Sequence, residues 1–289
     1  MIGIGLAIVS ALCWAVLDAQ RKVFTETVPP LTAVAIIPLG TGLLMTLALP
    51  WTLPTVAPPL EFWTATTTSI LLNLIANILF FRAVQISPLS LTVPYLSFTP
   101  VFMLASGAIL VGEVPDGYGV LGVTGVLIGA MLLNPGKEGR FSPIKALRNE
   151  PGSYLMILVA LLWSVTGPVE KIALRHAHPV VLGVLLNGSV GLAALVVVLF
   201  KDPQSIRKAT SSWRLAFLAS TTQAIGVVTQ LFAFSFLFVA YVDTIKRSGA
   251  LFAVLIGYFY FKERPLRPRL LGASIMFVGV SLIIWSQTG

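Results

Sequence analysis

Long apolar segments without charge run through the chain. Four of them exceed the roughly 20 residues that a membrane-spanning helix needs: residues 27–60, 83–112, 179–200 and 215–242. Apolar and polar residues do not alternate in these segments, which excludes a membrane β-barrel, so the backbone must satisfy its hydrogen bonds within helices. Pro, Gly and charged residues separate ten predicted spans, at residues 2–20, 31–50, 63–83, 88–111, 118–134, 153–173, 179–200, 214–238, 241–261 and 269–286.

The chain contains two similar halves on either side of its longest polar stretch, residues 134–152. An offset of 149 residues aligns Trp14, Lys22, Pro30 and Gly42 with Trp163, Lys171, Pro179 and Gly191. An offset of 150 aligns Phe102, Gly107, Glu113, Pro115, Gly122 and Gly129 with Phe252, Gly257, Glu263, Pro265, Gly272 and Gly279. Ten identities in order with one gap predict an internal duplication, with repeats at residues 1–134 and 153–289 and a basic linker at residues 135–152.

The odd number of spans in each repeat predicts how the copies are related. A second copy that follows five spans starts on the opposite side of the membrane from the first. The predicted fold is therefore an all-α membrane protein with ten transmembrane helices in two inverted five-helix repeats. Inverted repeats are typical of secondary transporters, which bind solute near the membrane midplane between the copies and rock one copy against the other. A duplicated membrane scaffold without transport is the alternative.

The composition and the charge of the chain indicate that its helices are surrounded by lipid. Charged residues make up 10% of the chain, against about 25% in a soluble domain, and the mean hydropathy is +0.92. Loops after odd-numbered spans carry fifteen Lys and Arg residues, and loops after even-numbered spans carry two. The positive-inside rule then places the odd-numbered loops in the cytoplasm and both termini outside. Basic residues confined to such loops argue against a nucleic-acid partner.

Several short motifs recur in this order and spacing. The first span of each repeat carries a short Trp motif, Ala-Leu-Cys-Trp-Ala at 11–15 and Ala-Leu-Leu-Trp-Ser at 160–164. The end of the fourth and ninth spans carries a Glu-Pro motif, Leu-Val-Gly-Glu-Val-Pro at 110–115 and Phe-Tyr-Phe-Lys-Glu-Arg-Pro at 259–265. The ninth span also contains Ile-Lys-Arg-Ser-Gly at 245–249. Over nearly its whole length the chain resembles the EamA-type branch of the drug/metabolite transporter superfamily. The resemblance implies a proton-driven or exchange transporter of metabolites, often an exporter, in a bacterial inner membrane. It also implies cytoplasmic termini, opposite to the loop charges. We expect a monomer or homodimer without cofactor.

Three charged residues lie within the ninth predicted span. After Arg247 only the fourteen residues 248–261 remain before the next charged loop, and they cover about 21 Å of a core that is roughly 30 Å thick. The span must therefore begin earlier and include Asp243, Lys246 and Arg247. Ionisable groups at this depth are costly, and they are functional candidates by default.

Two interpretations of these charges stay open. Asp243 precedes Lys246 and Arg247 by three and four positions, so the three can form an intrahelical ion pair. The first repeat carries Val93, Leu96 and Ser97 at the equivalent positions, so the scaffold does not require the charges, which favours a role in binding solute. The Lys-Arg pair also resembles the phosphate-binding pair of plastid triose-phosphate translocators, and it suits carboxylate as well.

Polar amides and aromatic residues supply further candidate solute contacts. Asn73 and Asn77 lie one turn apart on the third span, and Gln223 is the repeat equivalent of Asn73. Such amides either line a cavity or hold helices together in lipid. Tyr95 lies where prolines interrupt the fourth span. Trp14 and Trp163 occupy equivalent positions inside the first span of each repeat, where they either stack on solute or pack.

Asp18 is the candidate proton carrier, with a surface pair to Arg21 or Lys22 as the alternative. Glu113 and Glu263, which follow the fourth and ninth spans, are expected to cap the helix that comes after each of them. The chain has no catalytic motif, and His176 and His178 have no third ligand nearby, so we predict neither an enzyme nor a metal site.

We therefore predict a secondary active transporter, with export favoured, of a small organic metabolite such as an amino acid or another anionic or zwitterionic solute. An organophosphate or phosphate exchanger is the second hypothesis. A membrane enzyme or lipid-handling scaffold is the third. The expected partners are the solute and the lipid bilayer.

Overall fold

The computed structural model describes residues 1–54, 56–87, 93–133, 151–249 and 267–288, and all regular structure in these ranges is helical. The prediction of an all-helical chain is confirmed for this part of the molecule. The α-helices in it are α1 Ile2–Thr25, α2 Pro30–Thr46, α3 Leu60–Ile86, α4 Thr99–Val111, α5 Gly117–Leu133, α6 Pro151–Ala173, α7 Pro179–Lys201, α8 Gln204–Ser211, α9 Trp213–Phe234, α10 Val239–Arg247 and α11 Arg267–Thr288. Short 3₁₀ helices cover Leu49–Trp51 and Val93–Phe98.

Five of these helices contain segments long and apolar enough to cross a bilayer. The segments are Ile2–Thr25, Leu60–Phe80, Pro151–Ala173, Pro179–Lys201 and Trp213–Phe234. Shorter apolar helices cover Pro30–Thr46, Tyr95–Val111, Gly117–Leu132 and Ser274–Gln287. The ninth predicted span begins in α10, and its continuation past residue 249 lies outside the described residues. The described helices are those of a multi-pass membrane protein.

Helix ends differ from the predicted spans at several places. α1 continues to Thr25, so Arg21 lies inside a helix, where the prediction had it in a loop, and α3 continues to Ile86, three residues past the predicted end of its span. α8 falls in a stretch that the sequence left as a loop, because its eight residues are mostly polar. Proline occupies the first position of both α2 and α7, where its missing N–H costs nothing.

The described helices form two units, and the division falls inside α3 and α6. The first unit comprises Met1–Leu74 and Val169–Phe236, and the second comprises Ile75–Pro168 and Leu237–Gly289. Each unit therefore draws helices from both sequence repeats.

In the first unit α2 packs against α7, and α9 packs against both α1 and α2. The aromatic and aliphatic side chains of Leu17, Phe24 and Ile37 fill its core beside small alanines of α8 and α9. In the second unit α5 packs against α11, and α4 packs against α10.

Equivalent helices of the two repeats run antiparallel within each unit. A methyl group placed on Gly42 of α2 would lie 3.0 Å from the nitrogen of Gly188, and one on Gly191 of α7 would lie 2.5 Å from the nitrogen of Leu39. The repeat offset of 149 residues converts the first of these pairs into the second. Equivalent residues of α2 and α7 therefore make equivalent contacts with each other, as they do when a two-fold axis relates the two helices.

The last helices of the repeats follow the same rule in the second unit. A methyl group on Gly122 of α5 would lie 2.6 Å from the carbonyl oxygen of Gly279, and one on Gly129 would lie 2.6 Å from that of Gly272. The offset of 150 residues again interconverts the two pairs. Antiparallel crossing of equivalent helices is the local geometry that inverted repeats require.

The Gly-Glu motif that ends α4 builds a turn toward α10. Gly112 adopts a left-handed φ of 73°, and the N–H of Glu113 donates to the carbonyl of Gly107 at 3.1 Å, so the chain turns back on the last turn of the helix at this glycine. The carboxylate of Glu113 then accepts the N–H of Val239 at 2.7 Å. The prediction that Glu113 caps the helix after it is wrong, because it caps α10. Glu263 lies outside the described residues.

Asp116 takes the capping position at α5. Its carboxylate accepts the N–H of Gly119 at 2.9 Å and the hydroxyl of Ser286. These two hydrogen bonds, that from Ser286 foremost, hold the pKa of Asp116 below its usual value.

Candidate functional site

The charged residues of α10 form one compact cluster in the second unit. Lys246 Nζ lies 2.6 Å from Asp243 Oδ1, and Arg247 Nε lies 3.4 Å from Asp243 Oδ2. Arg247 Nη2 also donates to Thr99 Oγ1 of α4 at 3.3 Å. The intrahelical ion pair that the spacing predicts is therefore present, and a second helix supports it.

Burial separates the roles of these three side chains. The Asp243 side chain is 4% exposed, while those of Lys246 and Arg247 are 19% and 22% exposed. The carboxylate thus lies beneath two cations that keep partial access to their surroundings. Both described contacts of the Arg247 guanidinium are at the long end of hydrogen bonding, and a guanidinium has five N–H donors. The cluster can therefore receive an anionic group on Arg247 without losing its internal pair.

A second polar network crosses three helices of the first unit. Arg21 Nη2 of α1 donates to Gln223 Oε1 of α9 at 2.9 Å, and Gln223 Nε2 donates to Asn187 Oδ1 of α7 at 2.9 Å. Gln223 is buried, and it lies ten residues, about 15 Å, into its helix. The amide thus bonds on both sides near the middle of a predicted span.

Trp14 extends this network along α1. Its indole Nε1 donates to Gln230 Oε1 at 3.1 Å, and the guanidinium of Arg21 lies 5.5 Å from the centre of the indole ring. A cation over an indole face is a favourable pair, worth about 0.5–1 kcal/mol where solvent reaches it and more where it is desolvated. Trp14 and Gln223, predicted separately, are joined through Arg21 in one polar network of the first unit.

A third polar chain joins α3 to α6, also in the first unit. Asn73 Nδ2 donates to the carbonyl and the hydroxyl oxygens of Ser69 at 3.0 and 3.2 Å. The hydroxyl of Ser69 donates to Glu170 Oε1 at 2.9 Å. Glu170 is 8% exposed. The amide of Asn73 therefore supports a hydroxyl that binds a buried carboxylate.

The remaining predicted residues lie in the second unit or at a surface. Tyr95 is buried, with its ring stacked 6.4 Å from that of Phe98, and Trp163 packs against the same hydrophobic cluster. Asn77 is half-buried on α3. The Asp18 side chain is 67% exposed and pairs with Arg21 at 3.5 Å. The structure thus gives Tyr95 and Trp163 a packing environment and Asp18 the surface pair.

Sequence reasoning missed Asn187, Ser69 and Glu170, and it gave Arg21 only a surface pair. The first predicted span stops at residue 20, just before Arg21, and Glu170 lies inside the predicted span 153–173, where sequence reasoning assigned it no role. One signal was available, because Glu170 occupies the repeat position of Arg21 at the offset of 149 residues. A duplicated position that carries charge in both copies marks a polar place in the fold.

The two histidines serve helix ends. His176 Nε2 lies 3.1 Å from Glu61 Oε2, and His178 Nδ1 accepts the N–H of Val180 at 3.3 Å at the start of α7. Within the described ranges, no group of three or more His, Cys, Asp or Glu side chains could hold a metal ion.

Comparison with known proteins adds a family and a fold. The sequence profile of the EamA-like transporter family matches residues 1–134 and again residues 150–285. A solved crystal structure with 16% sequence identity aligns over 98% of each chain with a TM-score of 0.81, a likeness in fold alone. No curated protein matches the sequence.

Proposed function

The chain belongs to the EamA-like transporter family, and on this premise we propose that it exports a small organic solute with an anionic or zwitterionic group, such as an amino acid, by alternating access. Membership makes it an integral, multi-pass membrane transporter of the drug/metabolite type, in a family of transporters and not of enzymes. The solute class, the direction and the mechanism are the proposal.

The proposed architecture is ten spans in two inverted repeats. The antiparallel crossings of α2 with α7 and of α5 with α11 support it, because each crossing pairs equivalent helices in opposite directions. We place the protein in a bacterial inner membrane as a monomer or homodimer, and its partners are the solute and the lipid.

The charged cluster of α10 carries the proposal on the solute. Two cations share the carboxylate of Asp243, and both keep partial exposure while the carboxylate is buried. Desolvated guanidinium and ammonium groups bind carboxylate and phosphate strongly, and a guanidinium binds them in a planar, bidentate manner. Lys246 and Arg247 are therefore assigned the acidic group of the solute, and Asp243 is assigned their orientation.

In this proposal the neutral parts of the solute meet side chains of the second unit, where Asn77 supplies a polar contact and Tyr95 and Trp163 supply apolar walls. Trp14, Asn73 and Gln223 form a separate group of candidate polar and stacking contacts within the first unit. The hydrogen bonds of Gln223 and Trp14 fix these side chains in advance of binding, which lowers the entropic cost of binding.

An organophosphate exchanger is the second candidate, favoured by the adjacency of Lys246 and Arg247. A phosphate group carries more charge than a carboxylate, so its binding should need both cations. An amino acid should retain measurable binding to one.

Thermal stabilisation of the purified full-length protein tests both candidates. Amino acids, sugar phosphates and nucleosides are screened against the parent, Lys246→Ala and Arg247→Ala. The best ligand should stabilise the parent, and its affinity should fall at least tenfold in Arg247→Ala, because truncating a buried charged contact costs about 2–5 kcal/mol. Arg247→Lys should recover part of the affinity, since it keeps the charge and loses the planar fork.

Lys208→Ala is the matched control, because it removes the same charge from an exposed position on α8. It should bind ligand as the parent does. Equal affinity of the parent, Lys246→Ala and Arg247→Ala would show that the α10 cluster is not the solute site.

A further inference from the structure

The buried carboxylate of Glu170 has no part in the solute site described above. Its Oε1 accepts the hydroxyl of Ser69 at 2.9 Å, and Asn73 holds that hydroxyl from one turn away on α3. Glu170 is 8% exposed. An ionised carboxylate in such surroundings needs hydrogen bonds, and a protonated one needs far less support.

Two contacts between α3 and the end of α6 fix the depth of this carboxylate. Glu61, the second residue of α3, pairs with His176 just beyond the end of α6. Ser69 lies eight residues farther along α3, which corresponds to about 12 Å toward the middle of the helix. Glu170 therefore meets Ser69 well inside the apolar segment Leu60–Phe80. An ionisable group at that depth is a candidate for proton transfer.

The internal duplication places hydrogen-bonded polar residues at equivalent positions of both repeats. Glu170 is the repeat equivalent of Arg21, and Asn73 is the repeat equivalent of Gln223. Arg21 binds Gln223 directly at 2.9 Å, and Glu170 reaches Asn73 through Ser69. Equivalent positions of the two repeats thus carry a permanent cation, Arg21, in one copy and a titratable acid, Glu170, in the other.

We propose that Glu170 is the group that takes up and releases the coupling proton at membrane depth, with Ser69 and Asn73 as its hydrogen-bonding support. The proposal rests on the transport function proposed above, since coupling needs a transport cycle. The proton binds a carboxylate oxygen of Glu170 in one step of the cycle and leaves for water in another. Glu170 thus replaces Asp18 as the candidate proton carrier. Asp18 is exposed and pairs with Arg21, and its role in this proposal is to orient that side chain.

The charged residues described near Glu170 on α3 and at the end of α6 are Glu61, His176 and Lys171. On α3 and beyond the end of α6, Glu61 and His176 pair with each other at 3.1 Å. Lys171 is the next residue on the same helix, and successive helical residues project about 100° apart. Among the described contacts, α3 brings two neutral side chains to this place: Ser69, which donates to the carboxylate, and Asn73, which donates to Ser69.

Infrared difference spectroscopy of the full-length protein in lipid vesicles tests the proposal without any ligand. Glutamate labelled with ¹³C at the carboxyl group separates Glu bands from Asp bands. Between pH 5 and pH 9 the parent should show a labelled carboxyl C=O band that gains and loses intensity. Glu170→Gln should lack this band, and Glu170→Asp should replace it with a titrating band at the unlabelled position.

Two further variants make the result specific. Glu61→Gln removes a carboxylate from the same pair of helices at an exposed position and should keep the band. Ser69→Ala should move the band to higher frequency, because the carbonyl loses a hydrogen-bond donor. A merely structural Glu170 would give no band that titrates in this range.

Persistence of the band in Glu170→Gln, or a parent without a titrating glutamate band, would overturn the assignment. If Glu170→Gln does not fold, the label-free band of Glu170→Asp and the shift in Ser69→Ala decide the question. The ligand screen on Lys246 and Arg247 has a separate readout, so failure of the proton site and failure of the proposed transport function are distinguishable.

Discussion

Gln223 holds three helices together through one side chain. Its oxygen accepts from Arg21 of α1, and its nitrogen donates to Asn187 of α7. A primary amide can do both at once because it carries an acceptor and two donors. Lipid supplies no water that could take the place of this amide as a hydrogen-bond partner. The two hydrogen bonds therefore fix the positions of Arg21 and Asn187.

Gln223→Ala should destabilise the first unit by about 1–3 kcal/mol, because it takes a hydrogen-bond partner from two groups at membrane depth. Thermal unfolding in detergent measures the change. Thr222→Ala is the control, since Thr222 bonds only the carbonyl of Leu218 on its own helix among its described contacts. Equal unfolding temperatures for the two variants would contradict a bridging role for Gln223.

The sequence predicted the α10 charges well because helix geometry constrained them from two directions. The short apolar remainder after Arg247 required these residues to lie inside a span, and the spacing of three and four positions predicted contact with Asp243, as found. Arg21 and Glu170 escaped because a charge near a helix end looks the same in sequence whether it turns outward or inward. Only the partner on another helix decides between the two, and Asn187 shows the same limit.

At the scale of elements, the crossing of α2 and α7 leaves no room for a side chain at selected positions. A methyl group on Gly191 would meet the backbone of Leu39 at 2.5 Å, whereas one on Gly188 of the same helix would meet nothing within 4 Å. Backbone atoms cannot move aside as a flexible side chain can. The pair of glycines therefore offers a matched test of this contact.

Gly191→Ala should lower stability by about 1–3 kcal/mol, the usual cost of overpacking, and should loosen the packing of α7 on α2. Gly188→Ala should be neutral or stabilising by up to about 1 kcal/mol, because alanine favours the helix over glycine. Denaturant or thermal titration of the two variants beside the parent measures both. A Gly191→Ala protein as stable as Gly188→Ala would mean that the two helices are farther apart than described.

Elements that carry a strong apolar signal were predictable, and those that depend on tertiary context were not. Most predicted spans match helices to within a few residues. α8 was missed because an eight-residue polar segment becomes a helix here only by burying Ser205 and Ala209 against its neighbours, with Ser205 bonded to Thr32 at 2.6 Å. The target of the Glu113 cap was missed because no sequence rule places α10 beside the end of α4.

At the scale of the whole molecule, the duplication and the loop charges make separate statements about the membrane. The duplication concerns the relation of the two copies, and the antiparallel helix pairs agree with it. The loop charges concern absolute orientation. Around α8 the chain carries Lys201, Arg207, Lys208 and Arg214, whereas the connection after α6 carries Arg175. Since basic loops stay on the cytoplasmic side, α8 should face the cytoplasm.

Cysteine labelling in intact bacterial cells tests this orientation. The native Cys13 is replaced by Ala, and a single cysteine is placed at exposed Thr210 of α8 or at exposed Val56 in the connection between α2 and α3. A membrane-impermeant maleimide should label Val56→Cys in intact cells and Thr210→Cys only after permeabilisation, because the two positions follow an even-numbered and an odd-numbered span. The reverse pattern would place both termini in the cytoplasm, as the family resemblance implies, and would mean that the loop charges of this chain do not set its orientation. Either pattern fixes the side of the membrane that α8 and the connection between α2 and α3 face.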